Sequence, residues 1–302
     1  MSKRYKILNG PDDEKRGSVD GTVYRIKYLE TGELGGWLQS EANLEQESEA
    51  LVLGFAVVSG EALVSGHARV SGNAQVSDRA RVSGHAEVSD LAQVSGTAQV
   101  SDNAKVSDNA EVSGEACLSG TARVSEFAQA SGWAKMTGKA HVFGHARVVG
   151  HAQVSGSAQV SGSARVTGSA RVSDQARVSD YAQVSGKAQV SGEAHISNRA
   201  DVEASAEVSG EALVYGYAKI SGNVRVSGQA RVYGGAKIFG EARVSGESLV
   251  YGYAQVSENA QVSDSAQICD HAKVSGTARV SGKTKLSGST KVSGPSLSVD
   301  HA

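Results

Sequence analysis

The chain has almost none of the residues that staple, kink or anchor most folds. Of its 302 residues two are cysteine, two proline and two tryptophan, and aromatics make up 5%. Cys117 and Cys269 cannot build a disulfide framework, and neither lies in a Cys-x-x-Cys pair, so a disulfide-stapled module is excluded. No run approaches the eighteen consecutive apolar residues of a spanning helix, and Met1-Ser2-Lys3-Arg4-Tyr5-Lys6 lacks the apolar stretch of a secretory signal. A net charge of −2 and a pI near 6.5 give no basic field for nucleic acid or an anionic membrane. These absences predict a cytoplasmic protein of a reducing compartment, with neither nucleic acid nor membrane as a partner.

What is present is a repeat. From Val52 to Val292 one large apolar position recurs every six residues, forty-one times without insertion or deletion. The unit reads Ala-x-Val-Ser-Gly-x, as in Ala68-Arg69-Val70-Ser71-Gly72-Asn73. The large position is Val in thirty-three hexads, with Leu118, Ala130, Met136, Ile196, Ile220, Ile238, Ile268 and Leu286 in the rest; Ala130 alone is undersized. The small position is Ala in all but Val224, Ser248, Thr284 and Thr290. Ala and Val stand two apart and so point to one side of a strand. Disordered chains keep no such register. A strand this short cannot bury itself, so each copy must stack on the next. Gly fills the corner position twenty-nine times, and Asp or Asn most of the others, as at Asp78, Asp102 and Asn198. These residue types enter left-handed backbone conformations at low cost. Glu126, Ala204 and Glu258 break that rule.

A large aliphatic followed four residues later by a small residue, as at Val70 and Ala74, resembles the hexapeptide repeat of left-handed parallel β-helices. The segment Leu34-Gly35-Gly36-Trp37-Leu38, followed by Asn43-Leu44, is similar to the lead-in of YdcK-like hexapeptide-repeat proteins. The resemblance implies an all-β, single-stranded left-handed parallel β-helix of about 14 triangular coils, eighteen residues each, with a filled interior. Before it, residues 1–49 do not repeat; Tyr5–Leu8 and Val23–Leu29 alternate like strands, with Gly10-Pro11-Asp12-Asp13 as a turn. The expected organisation is an N-terminal β-cap over 1–49, a helix of hexapeptide repeats over 50–294 and a tail over 295–302. At the far end Lys283, Lys285, Lys291 and Pro295 are the residue types that blunt a sheet edge. Glu41, Glu45, Glu47 and Glu49 at one end, against five cations from Lys273 to Lys291 at the other, also raise head-to-tail association.

Read in steps of eighteen, the outward residues sort by chemistry. Phe143, Tyr215, Tyr233 and Tyr251 share one column, and Phe55, Leu91, Phe127, Tyr181, Tyr217 and Tyr253 share the corner after it. Nine of the eleven aromatics of the repeat region fall on this face, which makes it the candidate interaction face; the bland alternative is a stacked ladder in solvent, and a carbohydrate is a third occupant. Another face carries Ser or Thr in every coil, from Ser65 to Ser281, but Arg81, Gln99, Lys135, Arg171, Arg225 and Arg243 beside it spoil a flat hydroxyl array for ice. Acidic and basic residues alternate, which argues against DNA mimicry.

Many proteins of the resembled fold are acyltransferases that use acetyl-CoA, and the YdcK-like group is classed with acetyltransferases. Those enzymes project a loop that frames a catalytic His. Here the six-residue phase never breaks, so no such loop exists between Val52 and Val292. His67, His85, His141, His145, His151, His195 and His271 read as surface residues. His141 and His145 have a spacing known from γ-class carbonic anhydrases, but Lys105 stands where a further His is expected. The sequence therefore predicts no catalytic residue, no cofactor and no metal. It predicts a non-catalytic scaffold that self-associates as a homo-oligomer or binds a protein partner, with a hexapeptide-repeat acyltransferase as the alternative.

Overall fold

A computed structural model describes residues 3–10, 13–18, 21–294 and 297–299. It falls into two units, Met1–Gly150 and His151–Ala302. Both are built from the same coil, a parallel β-solenoid turn of eighteen residues, repeated about 14 times in all.

Within each unit a hexad typically supplies a strand of two residues, such as Arg81–Val82, that pairs in parallel with its copy eighteen residues on, Gln99–Val100; Gln129–Gly132, Arg147–Gly150 and Arg279–Gly282 run to four. Val82, Val100 and the alanines two residues before them, Ala80 and Ala98, are fully buried. The interior is thus a column of Val and Ala closed to water. The corner is a tight turn: Ala74 N–H donates to the Ser71 carbonyl at 3.3 Å, while Ser71 N–H donates to Val88 of the next coil at 2.9 Å.

The corner residue is left-handed in every hexad where it is not glycine, with φ between 57° and 62° from Asp78 to Asp270. Corners also stack closely. A Cβ at Gly72 would lie 2.8 Å from the backbone nitrogen of Asp90, so glycine answers both the angle and the space. Where Asp stands instead, its carboxylate accepts the N–H of the corner above. Asp78 accepts from Gly96 at 2.7 Å, Asp102 from Gly120 at 2.8 Å and Asp174 from Gly192 at 3.0 Å. A hydrogen bond to a charged group contributes about 1.5–3 kcal/mol, enough to offset the cost of about 1–2 kcal/mol for an L-residue turned left-handed. Glu258 is explained the same way, accepting from Gly276 at 2.7 Å, and Glu126 donates its own N–H to Asp108 at 3.1 Å. Nothing comparable accompanies Ala204.

Irregular interior residues find local remedies. Undersized Ala130 shares its coil with oversized Met136, both fully buried, so volume is roughly conserved. Thr284 and Thr290, in alanine's place, donate their hydroxyls to the Ser281 and Ser287 carbonyls, each at 2.7 Å. Ser248 does not: it is fully buried and its hydroxyl has no partner.

The first unit opens with an antiparallel sheet of β1 (Tyr5–Ile7), β2 (Lys15–Ser18), β3 (Gly21–Tyr28) and β4 (Leu34–Leu38). β3 pairs with the other three, and β4 then pairs in parallel with Val57–Val58 of the solenoid. Leu38 and Leu44, buried and six residues apart, pair with Val58 and Val64 and so occupy core positions of an irregular first turn. Between them Asn43 is buried, its amide donating to the carbonyls of Gly60 at 3.0 Å and Ala62 at 2.9 Å. Gly35 and Gly36 are where the sheet meets the solenoid. A Cβ at Gly36 would sit 2.6 Å from Val52 Cγ1 and 2.7 Å from the Ala56 carbonyl. Pro11 and Asp12 of the expected turn lie outside the described residues. So do Pro295, Ser296 and 300–302 of the expected tail, while Leu297–Val299 pairs in parallel with Val280–Gly282.

Candidate interaction surface

The solenoid turn places two outward columns on either side of a glycine corner, and the aromatic residues occupy both. In the second unit Tyr215 and Tyr217 flank Gly216, and Tyr251 and Tyr253 flank Gly252. The inner column is a stack. Tyr215 and Tyr233 lie 4.9 Å apart and 1° from parallel, and Tyr233 and Tyr251 lie 5.0 Å apart and 3° from parallel. These rings are half-buried, their faces shielded by one another. Contact with the Cys269 thiol, then burial, pushes the Tyr251 phenol up to about 12, and burial raises Tyr233 as well.

The outer column is different. Tyr181, Tyr217 and Tyr253 are 62%, 67% and 65% exposed, values that leave most of each ring in water. Arg199 stands between the first two, its guanidinium carbon 5.7 Å from each ring centroid. Asp180 and Asn198 complete the hollow around them. Tyr253 stacks on His271 at 5.4 Å.

In the first unit Phe55 and Phe127 are exposed and Phe143 is half-buried. Phe127 stacks on His145 at 4.9 Å, and Phe143 on His141 at 4.5 Å. Phe55 borders the cap, where Arg25 lies 5.7 Å from its ring and 5.2 Å from that of Trp37. The nine aromatic residues singled out from the sequence are therefore all outward, in two grades: Phe55, Phe127, Tyr181, Tyr217 and Tyr253 are open, and Phe143, Tyr215, Tyr233 and Tyr251 are packed. Sequence reasoning overlooked Arg25, Trp37 and Arg199. The signal for Arg199 was available, since it stands eighteen residues from both Tyr181 and Tyr217.

The histidines are surface residues with local partners. His67 and His85 stack at 4.6 Å, and His67 lies 3.4 Å from Glu49. Burial, then the neighbouring Arg123, holds His141 below its ordinary value, and burial with Arg177 does the same to His195. Each meets a serine hydroxyl of the preceding coil, Ser125 at 3.1 Å and Ser179 at 3.0 Å. No group of three His, Cys, Asp or Glu able to hold a metal occurs among the described residues. Cys117 and Cys269 are free. The face with the serine column carries a polar trough lined by Gln189, Glu207, Arg225, Glu241, Arg243 and Gln261, with Arg225 and Glu207 paired at 3.0 Å. Of the acidic cluster near the start, Glu41 pairs with Lys3 at 2.7 Å and Glu45 accepts from Gly66 at 3.2 Å. Among the described residues no helix is long and apolar enough to cross a membrane.

Four segments, 62–78, 74–90, 158–174 and 218–234, match the model of the YdcK beta solenoid repeat. A comparison with curated proteins finds no match. The matched segments lie on regular coils of both units, and the chain is a β-solenoid protein that carries YdcK-type repeats in these segments.

Proposed function

We propose that the chain is a non-catalytic interaction scaffold that associates, with a second copy or another protein, through its aromatic edge. The observation that carries this reading is the pair of open tyrosines, Tyr217 and Tyr253, set beside the packed stack of Tyr215, Tyr233 and Tyr251. The stack alone is accounted for by cross-strand stabilisation, about 0.2–1 kcal/mol per pair. The open rings meet Arg199 and His271 on one side and still keep most of their surface in water, and tyrosine is a residue type favoured at protein interfaces. Two free cysteines suit a cytoplasmic location.

Light scattering and sedimentation of the full chain across a concentration series test the reading. Association that weakens in the Tyr217→Ser/Tyr253→Ser double variant, with unchanged melting temperature, is the expected result. A monomer at every concentration ends self-association. A melting-temperature rise with acetyl-CoA would turn the reading toward an acyltransferase.

A further inference from the structure

Planar groups run up the open corner of the second unit one per coil: Tyr181, Arg199, Tyr217, Gly235, Tyr253, His271. The order has one missing rung. Arg199 lies between Tyr181 and Tyr217 with its guanidinium 5.7 Å from both rings. Gly235 holds the equivalent place between Tyr217 and Tyr253, and it brings no side chain.

The backbone at the two places is the same. Arg199 N–H donates to the Gly216 carbonyl at 2.8 Å, and Gly235 N–H to the Gly252 carbonyl at 2.7 Å. Gly235 is not among the residues of positive φ, so the backbone does not require glycine there. What overhangs it is a ring: a Cβ at Gly235 would meet Cδ1 and Cε1 of Tyr253, each at 3.0 Å. Both are atoms of an exposed side chain that can swing away, and the adjoining Tyr217 is 67% exposed. Arg25 likewise lies over two rings, 5.2 Å from that of Trp37 and 5.7 Å from that of Phe55, so the molecule sets a guanidinium of its own against aromatic rings in both places.

We infer that the Gly235 gap is a docking slot for an arginine side chain of a partner protein. Its guanidinium lies on the outer face of Tyr217, and Tyr253 moves off Gly235 to cover the other side. The slot selects guanidinium over ammonium because a planar cation stacks on both rings at once, whereas a lysine presents a compact, strongly hydrated charge. Lys237, exposed two residues away, adds repulsion, so binding strengthens or holds steady when salt screens it. The inference rests on the aromatic edge being an interaction surface and names the chemistry of what it takes.

The test is fluorine NMR of the full chain carrying 3-fluorotyrosine, titrated with N-methylguanidinium and, separately, with methylammonium. The Tyr217 and Tyr253 signals, assigned from Tyr→Phe variants, are expected to shift saturably with methylguanidinium, at an affinity about threefold higher than with methylammonium. Gly235→Arg restores the rung, and is expected to move the same two signals and to abolish their response. Tyr217→Ser removes one wall without touching the glycine and is expected to lose the response as well. Shifts that do not saturate, that spread equally to Tyr181, Tyr215 and Tyr233, or that persist in Gly235→Arg overturn the slot. Sedimentation of the same samples separates the two readings. Association without guanidinium binding removes only the slot, and guanidinium binding without association with any protein removes the scaffold.

Discussion

The N-terminal cap and the coils that follow hold together by opposite means. A coil repeats a few interactions many times: a buried Val and Ala per hexad, one turn hydrogen bond and a left-handed corner. The cap depends on contacts made once. The Tyr28 hydroxyl accepts Val52 N–H at 2.8 Å and donates to the Val52 carbonyl at 3.1 Å, Asn43 bridges two carbonyls of the first regular turn, and Gly36 lets two backbones approach. In a repeat array each unit touches only its neighbours, so a defect in a coil stays local, whereas a defect in the cap exposes the end of the stack. Stability along the chain should therefore be least forgiving where the sequence is least periodic.

Gly36→Ala gives the largest expected effect. Its Cβ would fall 2.7 Å from the Ala56 carbonyl, a backbone atom that cannot turn aside, so relief requires β4 to move off the first coil. Overpacking against a fixed neighbour costs about 3 kcal/mol. Amide exchange should accelerate at Leu51–Val52 and Val57–Val58 while Gln159–Val160 keeps its wild-type protection. Uniform acceleration across both regions would show that the coils share the cap's dependence, and the contrast would fail.

The sequence made the coil legible because each structural demand recurs: an inward pair every six residues and a left-handed corner after it. It also sorted the outward aromatics, since residues eighteen apart stack. It did not disclose that the inward positions begin at Leu38 and Leu44. The stretch from Leu44 to Val52 is eight residues and not six, so a search for the six-residue phase starts too late. It placed the aromatics in two columns either side of the corner but did not say which is packed and which open, because that depends on how rings of successive coils stack and shield one another. The corner glutamates were opaque for a related reason. Glu258 is tolerated through a bond to a residue eighteen positions away, invisible in its own hexad.

Within the coils Ser248 is the exception that sharpens the comparison. It occupies an alanine position, is fully buried, and leaves its hydroxyl without a partner, whereas Thr284 and Thr290 satisfy theirs in the turn. Burying an unpaired hydroxyl costs about 1–3 kcal/mol, so Ser248→Ala should raise stability by about 1 kcal/mol. Chemical denaturation of the two proteins checks this. The reverse exchange, Ala266→Ser in the next coil, should lower stability by a similar amount. A loss in Ser248→Ala would mean that the hydroxyl is held by something other than its own coil.

The smallest expected effect concerns pH, and it tests whether the coils respond locally even when two are perturbed at once. His141 and His195 occupy equivalent outward positions, one in each unit, each beside a serine of the preceding coil. Burial, reinforced by Arg123 and Arg177, lowers both from the ordinary 6.5. In that range the unfolded chain binds more protons than the folded one, so stability rises with pH. The contribution is complete above about pH 6.5 and is lost as the pH falls through the lowered folded values. Carboxylates titrate in wild type and variant alike, so the difference between them isolates the imidazoles. The His141→Gln/His195→Gln double variant should show a smaller fall in melting temperature between pH 7 and pH 5 than wild type, and the two single variants should each account for part of that difference. Because the two positions belong to coils without a shared neighbour, their effects should add. Equal pH slopes in wild type and the double variant would remove the histidines from the coil's response to acid.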